Sequence, residues 1–249
     1  MTNLNSIIIA GNVTADPHVV TNAQNKTSVL FTVAVNAGKE HTDFIPVRLN
    51  GGMFSEYAKN NLKKGAAVII TGRIENRTYE KDGTKKNFFC IAPSVLTIGP
   101  RGSMNVATLM GNLTADPEIR LTSADKKVAS FSIANNQSYK AENGEWKDLP
   151  VSYIDITVWE KQCEFVEKYF HKGDPIMLNG HIQSRQYETK DGDKRTKYCV
   201  VASSVSFASS KKKDDETPVA KPVAPTGTTY SAGAYDDFAE IGDDEDLPF

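Results

Sequence analysis

Twice in this chain an arginine stands two residues before a tyrosine, at Arg77-Thr78-Tyr79 and at Arg185-Gln186-Tyr187. If each pair lies on a strand, the two-residue period puts guanidinium and ring on one face. More rings gather in the second half. Tyr139 and Trp146 flank a polar stretch, and Tyr153 and Trp159 follow, six residues apart and so on one side of a strand. Tyr79 is the first half's counterpart of Tyr187, and Arg73, Lys81, Lys85, Lys86, Lys194 and Arg195 are the cations that accompany Arg77 and Arg185. A ring offers a stacking surface to any heterocycle, and cations attract phosphate with a salt-dependent strength. Rings interleaved with cations therefore suit a single-stranded nucleic acid. A lone aromatic on a strand is more often core, so the clustering carries this reading.

Other chemistries leave no trace. There is no G-x-x-x-x-G-K-[ST], no G-x-S-x-G and no H-E-x-x-H. His18, His41, His171 and His181 stand apart from one another and from the cysteines, without metal-ligand spacing. Asp16 and Asp116, each before a proline, read as turn initiators. Cys90 and Cys199 fall at matching places in apolar runs and Cys163 on a helix, which makes all three small buried hydrophobes. The expectation is a protein that is not an enzyme, with no cofactor and no metal.

The elements that must position the rings come as a duplicated unit. Gly11-Asn12-Val13-Thr14-Ala15-Asp16-Pro17 returns as Gly111-Asn112-Leu113-Thr114-Ala115-Asp116-Pro117, 100 residues on. Strands are expected over residues 4–13, about Val29 to Val35, Phe44 to Asn50, Ala67 to Ile74 and Phe88 to Ile98, with an Asp82-Gly83 hairpin before the last. Phe54, Tyr57, Ala58, Asn61 and Leu62 recur at helical spacing between the third and fourth, and Lys63-Lys64-Gly65 stops that helix. The second unit repeats the order over Met104 to Phe207. Five strands with one helix between strands 3 and 4 is the order of the OB-fold, a partly open Greek-key barrel. The fold class expected is therefore all-β: two tandem OB-folds and a disordered acidic C-terminal tail. The boundaries read as 1–100 for the first fold, 101–207 for the second, 208–242 for a linker and 243–249 for an acidic tip.

The chain of 249 residues has room for two such cores and holds no apolar run of membrane-spanning length. Its start lacks a basic, then apolar leader, so the expected location is the cytoplasm, in association with the nucleoid, with no membrane partner. The net charge of −2 conceals a division. Residues 1–100 hold 11 basic and 7 acidic side chains, 101–207 hold 14 of each, and the remainder 4 and 10. Excess positive charge thus sits in the first unit and most rings in the second, which suggests phosphate attraction by one and base stacking by the other. The chain closes on Asp243-Asp244-Glu245-Asp246-Leu247-Pro248-Phe249, an acidic block with an apolar end that solvation alone does not call for.

Several motifs combine: I-x-x-x-G-N-[VL]-T-x-D-P from Ile7 (Ala107 replaces the Ile in the repeat), F-[TS]-[VI]-A at Phe31 and Phe131, Lys64-Gly65 and Lys172-Gly173, [TN]-G-x-I at Thr71 and Asn179, and the Asp-Leu-Pro-Phe tip. Together they resemble the bacterial single-stranded DNA-binding proteins, in the form with two OB-folds per chain. The resemblance implies sequence-independent coating of single-stranded DNA in replication, recombination and repair. It implies stacking at Tyr139, Tyr153, Trp159 and Tyr187, and at Phe44 and Tyr79, with Asn50 standing where Trp159 stands in the repeat. It also implies a homodimer with four OB-folds, and an acidic tip, Asp243 to Phe249, that docks replication and repair proteins. Two other readings stay open: an RNA or nucleic-acid chaperone, since OB-folds also bind RNA, and a protein-assembly scaffold.

Overall fold

The computed structural model describes residues 3–21, 27–38, 41–81, 84–99, 101–141, 143–188, 192 and 194–208, and for 52–54, 77–81 and 84–87 the backbone alone. In the first repeat β1 (Asn5–Val13), β2 (His18–Thr21), β3 (Thr27–Asn36) and β4 (Thr42–Asn50) precede α1 (Gly52–Asn61), and β5 (Ala67–Lys81) and β6 (Thr84–Ile98) follow it. The second repeat holds β7 (Met104–Leu113), β8 (Glu118–Leu121), β9 (Lys127–Asn135), β10 (Ser138–Lys140), β11 (Trp146–Asp148) and β12 (Ser152–Trp159), then α2 (Glu160–Tyr169), β13 (Pro175–Glu188) and β14 (Lys194–Phe207).

Each repeat closes into a five-stranded barrel. β1 pairs with both β3 and β5, β3 with β4, β4 in parallel with β6, and β6 with β5. The circuit β7, β9, β12, β14, β13 repeats it. Period-two alternation fills the interior: Val29, Phe31, Val33 and Val35 of β3 are buried, and their neighbours are half-exposed. The sequence-derived strands, the helices and the OB order are all present. The fourth strand runs further than expected, to Lys81 and Glu188, because hairpin pairing carries β5–β6 and β13–β14 beyond the barrel wall as arms. The short β2 and β8, and the β10–β11 ribbon, had no strand signal of their own.

The repeated heptapeptide closes each barrel. At Gly11 and Gly111 β1 and β7 cross β3 and β9 so closely that a Cβ would strike the carbonyl oxygens of Ala34 and Ala134. Thr14 and Thr114 donate their hydroxyls to the carbonyls of Thr32 and Ser132, at 3.3 and 3.1 Å. Asp16 and Asp116 do more than begin a turn. Each Oδ1 accepts the backbone N–H of the lysine in the Lys-Gly turn beyond the helix, Lys64 at 2.8 Å and Lys172 at 2.7 Å. Gly65 and Gly173 then adopt φ of 83° and 89°, where glycine is unstrained, and donate to the carbonyls of Val13 and Leu113. Two motifs 48 and 56 residues apart in sequence thus lock together.

The barrels are continuous with each other. β1 pairs antiparallel with β7 from Asn5 opposite Leu109 to Ala10 opposite Met104, which joins β6-β5-β1-β7-β13-β14 into one sheet. Ile7 lies opposite Ala107, its own counterpart in the repeat. Buried Asn5 clamps Ile74 through both backbone groups, at 2.9 and 3.0 Å, and Asn105 clamps Ile182 in the same way, at 2.9 and 2.7 Å. Asn135 reaches from β9 to the carbonyls of Leu4 and Met110. Phe89 and Tyr198, also counterparts, stack face to face with centroids 4.5 Å apart and planes 7° from parallel.

Candidate nucleic-acid interface

On β12 the side chains alternate so that Ile154, Ile156 and Val158 enter the core while Tyr153, Asp155, Thr157 and Trp159 face outward. Tyr153 is 52% exposed and Trp159 37%, at the point where the strand turns into α2. On β4 the outward series is Phe44, Pro46, Arg48 and Asn50, with Phe44 exposed. The outer face of strands two and three is the surface on which OB-folds bind oligonucleotides.

The remaining rings ride on ribbons, each opposite a cation. Tyr139 lies across from Lys147, and Trp146 across from Lys140, so the β10–β11 ribbon shows one ring and one lysine on each of its faces. Tyr187 lies across from Arg195 on the β13–β14 arm, and Tyr79 across from Lys86 on the β5–β6 arm. Tyr139 and Tyr187 are both strand residues, because each ribbon is zipped by its own backbone ladder. Tyr139, Trp146 and Tyr187 are exposed, as are Arg185, Lys194 and Arg195. Arg77, Tyr79, Lys81, Lys85 and Lys86 are placed along the arm by backbone only. Arg73 lies nearer the junction of the barrels, 2.8 Å from Glu75 Oε1, in a recess shared with Asn135, Gln137 and Ser152. Asp243 to Phe249 lie outside the described residues.

The ring face of each barrel abuts the arm of the other. Phe44 donates its backbone N–H to Ser184 Oγ at 3.0 Å, one residue from Arg185. Asn76, next to Arg77, donates to the carbonyl of Tyr153 at 2.6 Å. The two ring-bearing strands thus each touch the neighbouring barrel. Sequence reasoning passed over Arg48 and Phe88. The guanidinium of Arg48 sits over the Phe88 ring, 5.3 Å from its centroid. The outward register of Arg48 with Phe44 was the signal that could have found it.

The cysteines conform to a packing role. Cys90 and Cys163 are buried and Cys199 half-buried, and burial pushes the Cys163 and Cys199 thiols up, away from reactive thiolate. Among the described residues no three His, Cys, Asp or Glu side chains gather as a metal site would require, and no helix is long and apolar enough to cross a membrane.

Two OB barrels that expose rings and cations along strand three and the hairpin arms define an oligonucleotide-binding-fold protein. The family model described as "Single-strand binding protein family" matches residues 4–91 and 104–208, once per barrel, and the chain belongs to that family. Its relatives include the single-stranded DNA-binding protein of Deinococcus radiodurans, 34% identical over 195 residues, 71% of this chain and 64% of the relative. Another is single-stranded DNA-binding protein 1 of Staphylococcus aureus, 39% identical over 112 residues, 45% of this chain and 70% of the relative. The chain thus spans less than two thirds of the Deinococcus relative. In fold it is similar to the wild-type single-stranded DNA binding protein of Thermus aquaticus, with TM-score 0.67 at 23% identity over 90% of this chain and 98% of that one. A deletion mutant of the Thermus protein superimposes with TM-score 0.68 at 24% identity, over 86% and 99%.

Proposed function

We propose that the chain binds single-stranded DNA without regard to sequence, coating it during replication, recombination and repair. One observation carries this reading: exposed rings on the strand face that OB-folds use for oligonucleotides, joined by rings on two exposed ribbons with a cation directly opposite each. The stacking set is Tyr139, Trp146, Tyr153, Trp159, Tyr187, Phe44 and Tyr79. The phosphate set is Arg77, Lys81, Lys85, Lys86, Arg185, Lys194 and Arg195, with Arg73 nearer the barrel junction. The working boundaries are 1–100 and 101–207 for the folds, 208–242 for a linker and 243–249 for the tip. The tip recruits replication and repair proteins, its acids steering the encounter and Phe249 anchoring it. The site of action is the cytoplasm, at the nucleoid.

The test is a fluorescence titration with poly-dT and poly-U at matched salt, following Trp146 and Trp159, run on the full chain and on one lacking Leu247-Pro248-Phe249. Both chains are expected to bind poly-dT equally and more tightly than poly-U, and only the full chain to capture partners. Preference for poly-U overturns the DNA assignment in favour of an RNA chaperone. Partner capture that survives the deletion overturns the docking role.

Homodimerisation, giving four OB-folds, has its own support. The outer face of the joined sheet presents Val95, Thr71, Ile8 and Val106 in one row across four strands, beside Met104 and Leu4. Val95 is 50% exposed, Met104 46% and Val106 43%, an apolar sheet face that a second copy would cover. Light scattering is expected to give twice the 27.3 kDa of one chain. The mass of a single chain with full strand binding would overturn the dimer.

A further inference from the structure

Among the differences between the two binding faces, one forms a hollow. In the first barrel, a cavity of about 300 Å³ opens between the turn after β1 and strands β3, β4 and β6. Its walls include Leu30, Pro46 and Phe88, its polar groups Arg48, Asp16 and His18. That volume lies at the lower end of ligand pockets, which run from about 300 to 1,000 Å³. Arg48 lines this cavity, and its guanidinium lies over the Phe88 ring. Asp16 holds the Lys64 N–H through Oδ1, which leaves Oδ2 to take a donor.

In the second barrel the counterparts of Pro46, Arg48 and Phe88 are Asp155, Thr157 and Lys197. There Lys197 Nζ stands 3.3 Å from Asp155 Oδ2, and Ser132 Oγ donates to Asp155 Oδ1 at 2.6 Å. Polar side chains that satisfy one another thus stand where the first barrel has apolar cavity walls.

From this contrast we infer that the first barrel holds a pocket for one unstacked nucleobase, and that it favours guanine. Phe88, Pro46 and Leu30 supply apolar walls for a planar ring. The Arg48 fork matches the adjacent O6 and N7 acceptors of guanine, which no other base presents together. Asp16 Oδ2 suits a donor, N1–H or N2–H, on the adjoining Watson–Crick edge. Adenine offers one acceptor and one donor where guanine offers two acceptors, and the pyrimidines offer a shorter edge. The inference rests on the single-stranded DNA reading and adds one base-biased position to an otherwise sequence-neutral surface.

The experiment uses the full chain and three labelled strands of equal length: pure dT, dT with one central dG, and dT with one central dA. The dG strand is expected to bind about tenfold more tightly than the other two, within the discrimination one bidentate arginine contact provides. Arg48→Met should bring that ratio to one. A ratio is unmoved by the lost cation itself, which weakens all three strands alike. Pro46→Asp with Phe88→Lys, which grafts the second barrel's ion pair into the hollow, should abolish the preference as well and serves if Arg48→Met does not fold. Equal binding of the three strands by the unaltered chain overturns the pocket, as does a guanine preference that survives in the folded variants. Failure to bind any strand overturns instead the single-stranded DNA reading on which the pocket depends.

Discussion

Alanine at Tyr153, Trp159 and Tyr187 together is expected to lower the affinity for a dT tract by about a hundredfold or more. Each base-ring stack is worth about 1–3 kcal/mol, so three at the lower bound already total about 3 kcal/mol, where about 1.4 kcal/mol is a factor of ten. The rings lie outside the core, at 52%, 37% and 47% exposure, so the variant retains its barrels and the loss reads binding. The neighbouring cations remain, and residual binding should keep the salt dependence of phosphate contact. Equilibrium titration at two salt concentrations measures both. An affinity within threefold of the unaltered chain would mean that these rings do not stack on bases, and would favour a face that binds protein.

Gly11→Ala is expected to lower the melting temperature by about 6–12 °C. The added methyl would enter the Ala34 carbonyl oxygen of the neighbouring strand, which belongs to a backbone ladder and cannot rotate away. Overpacking costs about 1–3 kcal/mol, and a clash with backbone belongs at the upper end. For a chain of about 150–250 residues each kcal/mol shifts the midpoint by about 2–4 °C. Gly102→Ala is the control, with nothing within 4 Å of the new methyl and an ordinary backbone conformation, and should leave the midpoint within about 1–2 °C. Equal effects of the two substitutions in a thermal melt would refute the crossing as the reason for glycine at position 11.

Much of this was legible in the sequence because duplication prints each local signal twice. The alternation of Val29 to Val35, the helical spacing of Phe54 to Leu62 and the Asp-Gly hairpins are all short-range, and they located the barrels. The partner of Asp16 was not legible. Its bond to the Lys64 amide links motifs 48 residues apart, and only the closed barrel brings them together. The rings were found by type, but their pairing with Lys147, Lys140 and Arg195 depends on register, which sequence does not state. Arg48 escaped notice because attention to charge favoured clusters, and it stands alone between apolar neighbours. The expected division of labour, phosphate attraction in the first unit and stacking in the second, stands as an expectation for a salt titration to test. The first barrel has its own aromatic-lined hollow, and each ring face lies beside the other barrel's arm. Separated halves would lose the β1–β7 pairing, so any test of that division belongs on the whole chain.

The direct pairing of counterparts across β1 and β7 has an evolutionary reading. Where two identical subunits meet on a two-fold axis, a residue on that axis must face its own kind. Here Ile7 faces Ala107, both fully buried, and Phe89 stacks on Tyr198. Two isoleucines at that crossing would overfill it and two alanines would leave a void. Joined in one chain, the two halves are free of that symmetry, and at these positions each is complementary to the other rather than to itself. A first half is thereby matched to a second half, and the pairing of like with like, which would cross-link chains end to end, is disfavoured at the axis itself.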